Sequence, residues 1–214
     1  MMGIERKSLS QSDKERLHTA IHEAGHALTC YFNPAAKTLY KATIVARGPS
    51  LGATYMVPAE SDMVSTSKEK ILADIDVAMG GHVAELLIIG KENVTSGCGG
   101  DLQGATQLAT QAVRYYGMFG DDVGYISRSK SNTSDTHNAV VDNEVQKILD
   151  ESSERVRNLL MSKDKELREL AKYPFQNDYL DAEEMDRIIS GKGLDSDKSP
   201  KVRDWKDEEY LIKF

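Results

Sequence analysis

The chain has 214 residues, 40% of them hydrophobic, with 27 basic and 34 acidic side chains and a net charge of −7. That length suits one domain with its own core, and average Gly, Pro and charge exclude collagen-like, coiled-coil-only and disordered chains. A mean hydropathy of −0.47 and a longest central apolar run of Leu86-Leu87-Ile88-Ile89 exclude a membrane-embedded body, because a spanning helix needs roughly 18 apolar residues. The acidic balance argues against a nucleic-acid partner, which calls for a basic face.

The elements in chain order are mostly helical. Ser12-Asp13-Lys14-Glu15 has capping-box spacing, and Leu17, Ile21, Ala24 and Leu28 follow at helical period up to Asn33-Pro34. From Ala42 to Val57 two β-prone runs flank a turn at Gly48-Pro49-Ser50-Leu51-Gly52. Thr66-Ser67-Lys68-Glu69 opens a second helix that runs to Ile89 and closes at Gly90. Gly97-Cys98-Gly99-Gly100 makes a flexible loop, and Asp101 begins a third helix with Leu102, Ala105, Leu108, Ala109, Ala112 and Val113 on its apolar face. Residues 121–136 read as polar loop, Asn138 to Met161 as a long helix, and Asp181-Ala182-Glu183-Glu184 as the start of a short one ended by Gly191. The expectation is a mainly α domain with a small β element at about residues 41–57. Residues 1–11 read as a linker, 12–194 as the domain, and 195–214 as a charged, mobile tail.

Two cysteines, Cys30 and Cys98, are too few for a disulfide framework, although one bridge between them is open. Met1-Met2-Gly3 carries neither signal nor transit character. The doubled Met reads as a start placed before an excised fragment, so the compartment is not legible from targeting signals.

The strongest chemical signal is His22-Glu23-Ala24-Gly25-His26, an HExxH motif. Residues four apart share a helix face, so both imidazoles can reach one metal ion, and Glu23 beside them can take a proton from water. Zinc suits such a site because it accepts nitrogen and carboxylate ligands and leaves a position open. The alternative is a helix with two structural histidines, but Gly25 inside it then costs about 1 kcal/mol without reason. A small residue there makes sense if another element packs closely on the metal-binding turn. His18 extends the series His18, His22, His26, but its ends lie about 12 Å apart along the helix, so one ion cannot hold all three. His18 is expected to be an exposed helix residue. A third ligand must come from elsewhere, and the candidates are Asp101, Glu85, His82 and His137. Asp101 is favoured because it follows a glycine-rich loop, with an ordinary N-cap role as the equal alternative.

These residues resemble a known family, the peptidase domain of FtsH-type, membrane-anchored AAA proteases. The segments that carry the resemblance are Thr19 to Ala27, Lys41-Ala42-Thr43-Ile44 with Arg47-Gly48, Asp76 to Gly81, Ala84-Glu85, Thr95 to Leu102, Tyr116-Gly117-Met118 and Leu180-Asp181-Ala182. The run Thr95 to Gln103 is most similar to the mitochondrial i-AAA branch. The resemblance implies zinc held by His22, His26 and Asp101, with Glu23 as general base. It also implies a homo-hexamer whose ATP-driven motor feeds unfolded polypeptides to the peptidase in protein quality control. For the i-AAA branch it implies the mitochondrial inner membrane, with this domain facing the intermembrane space. The chain departs from the family pattern at Gly80-Gly81-His82 and Ala84-Glu85-Leu86, where Glu85 is placed to hydrogen-bond a zinc-binding histidine. It has no GxxxxGK[ST] phosphate loop and no spanning segment, so it reads as a peptidase domain apart from its ATP-using motor and anchor, without membrane contact of its own.

The expected reaction is hydrolysis of a peptide bond by water, with Glu23 moving the proton. The segment Gly52 to Val57 either pairs with an extended substrate or forms an ordinary hairpin. The rival to a peptidase is a zinc-stabilised ring-assembly module that cleaves nothing. Glu23 separates the two, because a structural zinc site does not need it.

Overall fold

The computed structural model describes residues 11–46, 51–57, 65–127 and 129–192. Its first helix, α1 (Asp13–Phe32), starts where its cap dictates. Ser12 Oγ accepts from the Glu15 N–H at 3.2 Å and Glu15 Oε2 accepts from the Ser12 N–H at 2.8 Å, a reciprocal capping box. Strands β1 (Thr38–Thr43) and β2 (Ala53–Val57) follow, then α2 (Lys68–Ile88), α3 (Gly99–Arg114), α4 (Asp135–Ser162), α5 (Asp164–Asn177), β3 (Tyr179–Asp181) and α6 (Ala182–Ile189). Single 3₁₀ turns at Lys91–Asn93, Ser96–Cys98 and Lys130–Asn132 punctuate the connections.

The apolar stripe of α1 is buried against α2 and α5, with Leu17, Ile21 and Leu28 at 1% exposure or less. Each such side chain contributes about 1.5–3 kcal/mol of burial free energy. The α1–α2 crossing is backbone on backbone. A Cβ at Gly25 would run into the Gly80 carbonyl and come within 2.6 Å of Ala84 Cβ, and one at Gly80 would lie 2.7 Å from the Gly25 oxygen. The closely packed element anticipated over the motif is therefore α2. Asp76 on α2 accepts from Ser152 Oγ (2.6 Å) and Arg155 Nη2 (2.7 Å) and so ties α2 to α4.

The sheet has the order β2-β1-β3, antiparallel throughout. It departs from the expectation in two ways. The first strand lies four residues earlier than the β-prone run at 42–46, because its pairing with β2 begins at Thr38↔Val57 and a register shift falls between Leu39 and Lys41. The third strand, β3, is three residues long and pairs Lys41↔Asp181 and Thr43↔Tyr179.

Helix α5 is likewise absent from the expectation. It contains Pro174, a helix breaker by sequence rules, yet Leu167, Leu170 and Ala171 are fully buried, and the helix runs on to Asp178 in the left-handed region at φ 69°. Helix α4 begins three residues before its expected start, capped by Ser134. The tail at 195–214, the linker up to residue 10 and most of the 48–52 turn lie outside the described residues.

Candidate metal centre and peptidase site

Two helices converge on one point. Helix α1 presents His22 and His26 one turn apart, and α3 brings Asp101 in its first turn. The distances are 3.0 Å between the two histidine Nε2 atoms, 3.1 Å from His22 Nε2 to Asp101 Oδ2, and 3.5 Å from His26 Nε2 to the same oxygen. Asp101 is the third residue of α3 and Cys98 holds the N-cap position, so the carboxylate faces the histidines and does not cap the helix. Among the described residues these three form the cluster able to hold an ion.

The opposite side of each ring is fixed. His26 donates its Nδ1–H to the Val77 carbonyl at 2.7 Å, and His22 donates its Nδ1–H to Glu85 Oε1 at 2.8 Å. Both Nε2 lone pairs therefore point into the cluster, which is the tautomer a metal requires. Glu85, 1% exposed, is itself held by the Thr95 N–H at 2.8 Å. Room for the rings comes from Gly81, where a Cβ would sit 2.5 Å from His22 Cε1 and 2.6 Å from His26 Nε2. Ligands about 2.1 Å from a tetrahedral ion lie about 3.4 Å from one another. The observed triangle is close to that, so nitrogen, nitrogen and carboxylate oxygen fit zinc.

Electrostatics agree with a site built for positive charge. Burial alone would lower the His22 pKa, but hydrogen bonds with Asp101 and Glu85 outweigh it and raise the value to about 10. Burial opposes ionisation of Asp101 too, yet its two histidine partners hold it well below the usual carboxylate range.

Glu23 lies beside the cluster at 5% exposure. Burial pushes its pKa up against the pull of His26, His22 and a hydrogen bond from Thr54. Two cavities meet there. The larger, about 790 Å³, is lined by Met56, Val77, Ala78 and Leu108, with the Lys37–Asp74 ion pair in its wall. The smaller, about 450 Å³, is lined by Glu15, His18, Leu51 and Ser96. His22, Glu23, Gly52 and Gly97 belong to both.

His18 departs from the expectation of an exposed residue. It is half-buried, and desolvation lowers its pKa, because the 95–97 loop and Leu51 close over that side of α1. His82 and His137 stand apart from the cluster, on α2 and in the first turn of α4. The family departures at His82 and Leu86 fall on one half-buried stripe of α2, while Glu85 keeps its contact with His22. Cys30 and Cys98 are both buried free thiols, with no bridge between them. Sequence reasoning missed the Val77 carbonyl, Thr95 and Thr54. The first and the Thr95 N–H are backbone groups without a side-chain signature, and only the helix-interior glycines at 80–81 hint at crowding.

Fold and site together define a helical HExxH metallopeptidase domain. The chain belongs to peptidase family M41, which it matches over residues 9–188. It is 45% identical over 201 residues (93% of this chain, 27% of the relative) to the mitochondrial inner membrane i-AAA protease supercomplex subunit YME1 of Saccharomyces cerevisiae. It is 42% identical over 193 residues (89% and 27%) to the ATP-dependent zinc metalloprotease YME1 homolog of Schizosaccharomyces pombe. Against the ATP-dependent zinc metalloprotease FtsH of Rickettsia conorii it is 34% identical over 212 residues (94% and 33%). The chain thus spans about a quarter to a third of the length of the curated relatives it matches. Among the described residues, no helix is long and apolar enough to cross a membrane.

Proposed function

We propose that the chain is the zinc endopeptidase domain of an ATP-dependent, membrane-anchored AAA protease that cuts unfolded or damaged polypeptides in protein quality control. The observation that carries this reading is the position of Glu23, a buried carboxylate beside a three-donor cluster where two cavities meet. A ring-assembly module would account for the helical core, but it leaves that carboxylate without a task.

In this reading His22, His26 and Asp101 hold the ion and Glu23 is the general base. Bound zinc supplies a Lewis acid that polarises the scissile carbonyl and the attacking water. Glu23 accepts the water proton on a carboxylate oxygen and delivers it to the leaving amine. In the metal-free chain burial pushes its pKa up, and a cation bound beside it would favour the ionised form that accepts the proton. Val77 and Glu85 keep the two imidazoles from rotating as charge develops. Among the described residues β2 pairs only with β1, and Ala53, Thr54 and Met56 line the larger cavity. An extended substrate adds there as a further strand, held by backbone hydrogen bonds with weak sequence preference. The two cavities that share Glu23 in their linings give that chain room to extend beyond the cleaved bond, which favours cleavage within a polypeptide over trimming at its ends.

The name of the Saccharomyces cerevisiae relative supports a mitochondrial inner-membrane setting. We further assign the whole protein a homo-hexameric ring, with this domain on the intermembrane-space side.

The test is cleavage of an unstructured peptide with both ends blocked, by the zinc-loaded chain, before and after chelation. Internal cuts that stop with chelation and return with zinc are expected. An intact peptide beside one bound zinc per chain would favour the assembly module.

A further inference from the structure

We infer that Thr54 is a positioning residue for Glu23: its hydroxyl holds the carboxylate in the orientation from which the proton is transferred. This rests on the reading of Glu23 as the base. Thr54 Oγ1 donates to Glu23 Oε2 at 2.7 Å and stands 3.4 Å from the Glu23 backbone oxygen, so its hydroxyl is seated on this residue of α1. The other carboxylate oxygen, Oε1, lies against Gly52, where a Cβ would come within 2.7 Å. Residues 52 and 54 are two apart on extended chain and so face the same way. The strand thus brackets the carboxylate with a hydrogen bond on one oxygen and a gap shaped for the other.

The need for such a bracket follows from the side chain. Glu23 reaches the site through three rotatable bonds, and the helix fixes only its first atom. The hydrogen bonds that orient His22 and His26 come from α2 and do not touch it. A donor on a charged acceptor makes a short, strong bond able to select one rotamer. Because β2 also lines the cleft, the strand that receives the peptide is the one that sets the base against it.

Removing the hydroxyl should slow proton transfer and leave binding alone. Thr54→Val keeps the shape and loses the donor, and Thr54→Ser keeps the donor. The zinc-loaded chain and both variants are compared for kcat, KM and zinc content. Peptide affinity is read by fluorescence anisotropy in the Glu23→Gln background, and the Glu23 position by crystallography of Thr54→Val. We expect kcat to fall roughly ten- to 150-fold in Thr54→Val, since bonds to charged groups are worth that much. KM, peptide affinity and zinc content should stay within about twofold, Thr54→Ser should recover most of the loss, and the crystallographic Glu23 carboxylate should be displaced or split between rotamers. The inference is overturned if Thr54→Val turns over at the wild-type rate, if its loss lies in peptide affinity or zinc content, if Thr54→Ser fails to recover kcat, or if the carboxylate has not moved. A Glu23→Gln chain that still cuts at full rate removes the base reading itself. One that is inactive beside a fully active Thr54→Val removes only the role of Thr54.

Discussion

His22 Nε2 and His26 Nε2 face each other at 3.0 Å while the far side of each ring is committed, to Glu85 and to the Val77 carbonyl. Two lone pairs and the Asp101 carboxylate directed at one point are stable only around a cation. In the metal-free chain the available cation is a proton, and the raised pKa of His22 is its trace.

That relationship sets a pH dependence. The His22 pKa rises from 6.5 to about 10 on folding. The stability it contributes to the metal-free chain is therefore complete below pH 6.5 and is lost as pH climbs toward 10. Zinc competes with the same proton, so its binding strengthens over the same interval. The melting temperature of the metal-free chain should fall between pH 6.5 and 9.5, and the gap between zinc-loaded and metal-free chains should widen. A gap that is constant across that range would contradict the proton-for-metal exchange.

In the proposed site Glu85 would act on the ion only through its hydrogen bond with His22. Glu85→Ala should weaken zinc binding about 10- to 100-fold, the usual cost of removing a group that orients a ligand. Asp101→Ala removes a donor outright and should cost more. Competition titrations against a chelator rank the two; the reverse order would mean that Glu85, not Asp101, is the ligand.

The glycines at the α1–α2 crossing should respond unlike those elsewhere. A Cβ at Gly25 meets the Gly80 backbone, which cannot rotate away, whereas nothing lies within 4 Å of one at Gly104 in α3. Gly25→Ala should destabilise the chain by about 2 kcal/mol or more, and Gly104→Ala should stabilise it by about 0.5–1 kcal/mol. Denaturant unfolding of the two variants measures both signs.

What was legible in the sequence was local. The Ser12 capping box and the HExxH spacing announce α1 and the two histidines of the motif, His22 and His26, within fifteen residues of chain. From spacing alone Asp101 reads equally as a ligand or a helix cap, because its meaning depends on His22, 79 positions away. Strand β3 exists because β1 offers it an edge, and three residues carry no period of their own. Helix α5 survives Pro174 because Leu167, Leu170 and Ala171 are buried, a tertiary gain that local rules do not register. Thr54 sits in a recognisably β-prone run, yet nothing in that run points to Glu23.

In the proposed site one zinc ion and the Glu23 base lie side by side but have separable tasks. Metal content and peptide cleavage measured together on wild type and Glu23→Gln test this most directly. One zinc per chain is expected in both, with cleavage lost only in the variant. A Glu23→Gln chain that keeps its zinc and cuts at the wild-type rate would contradict it.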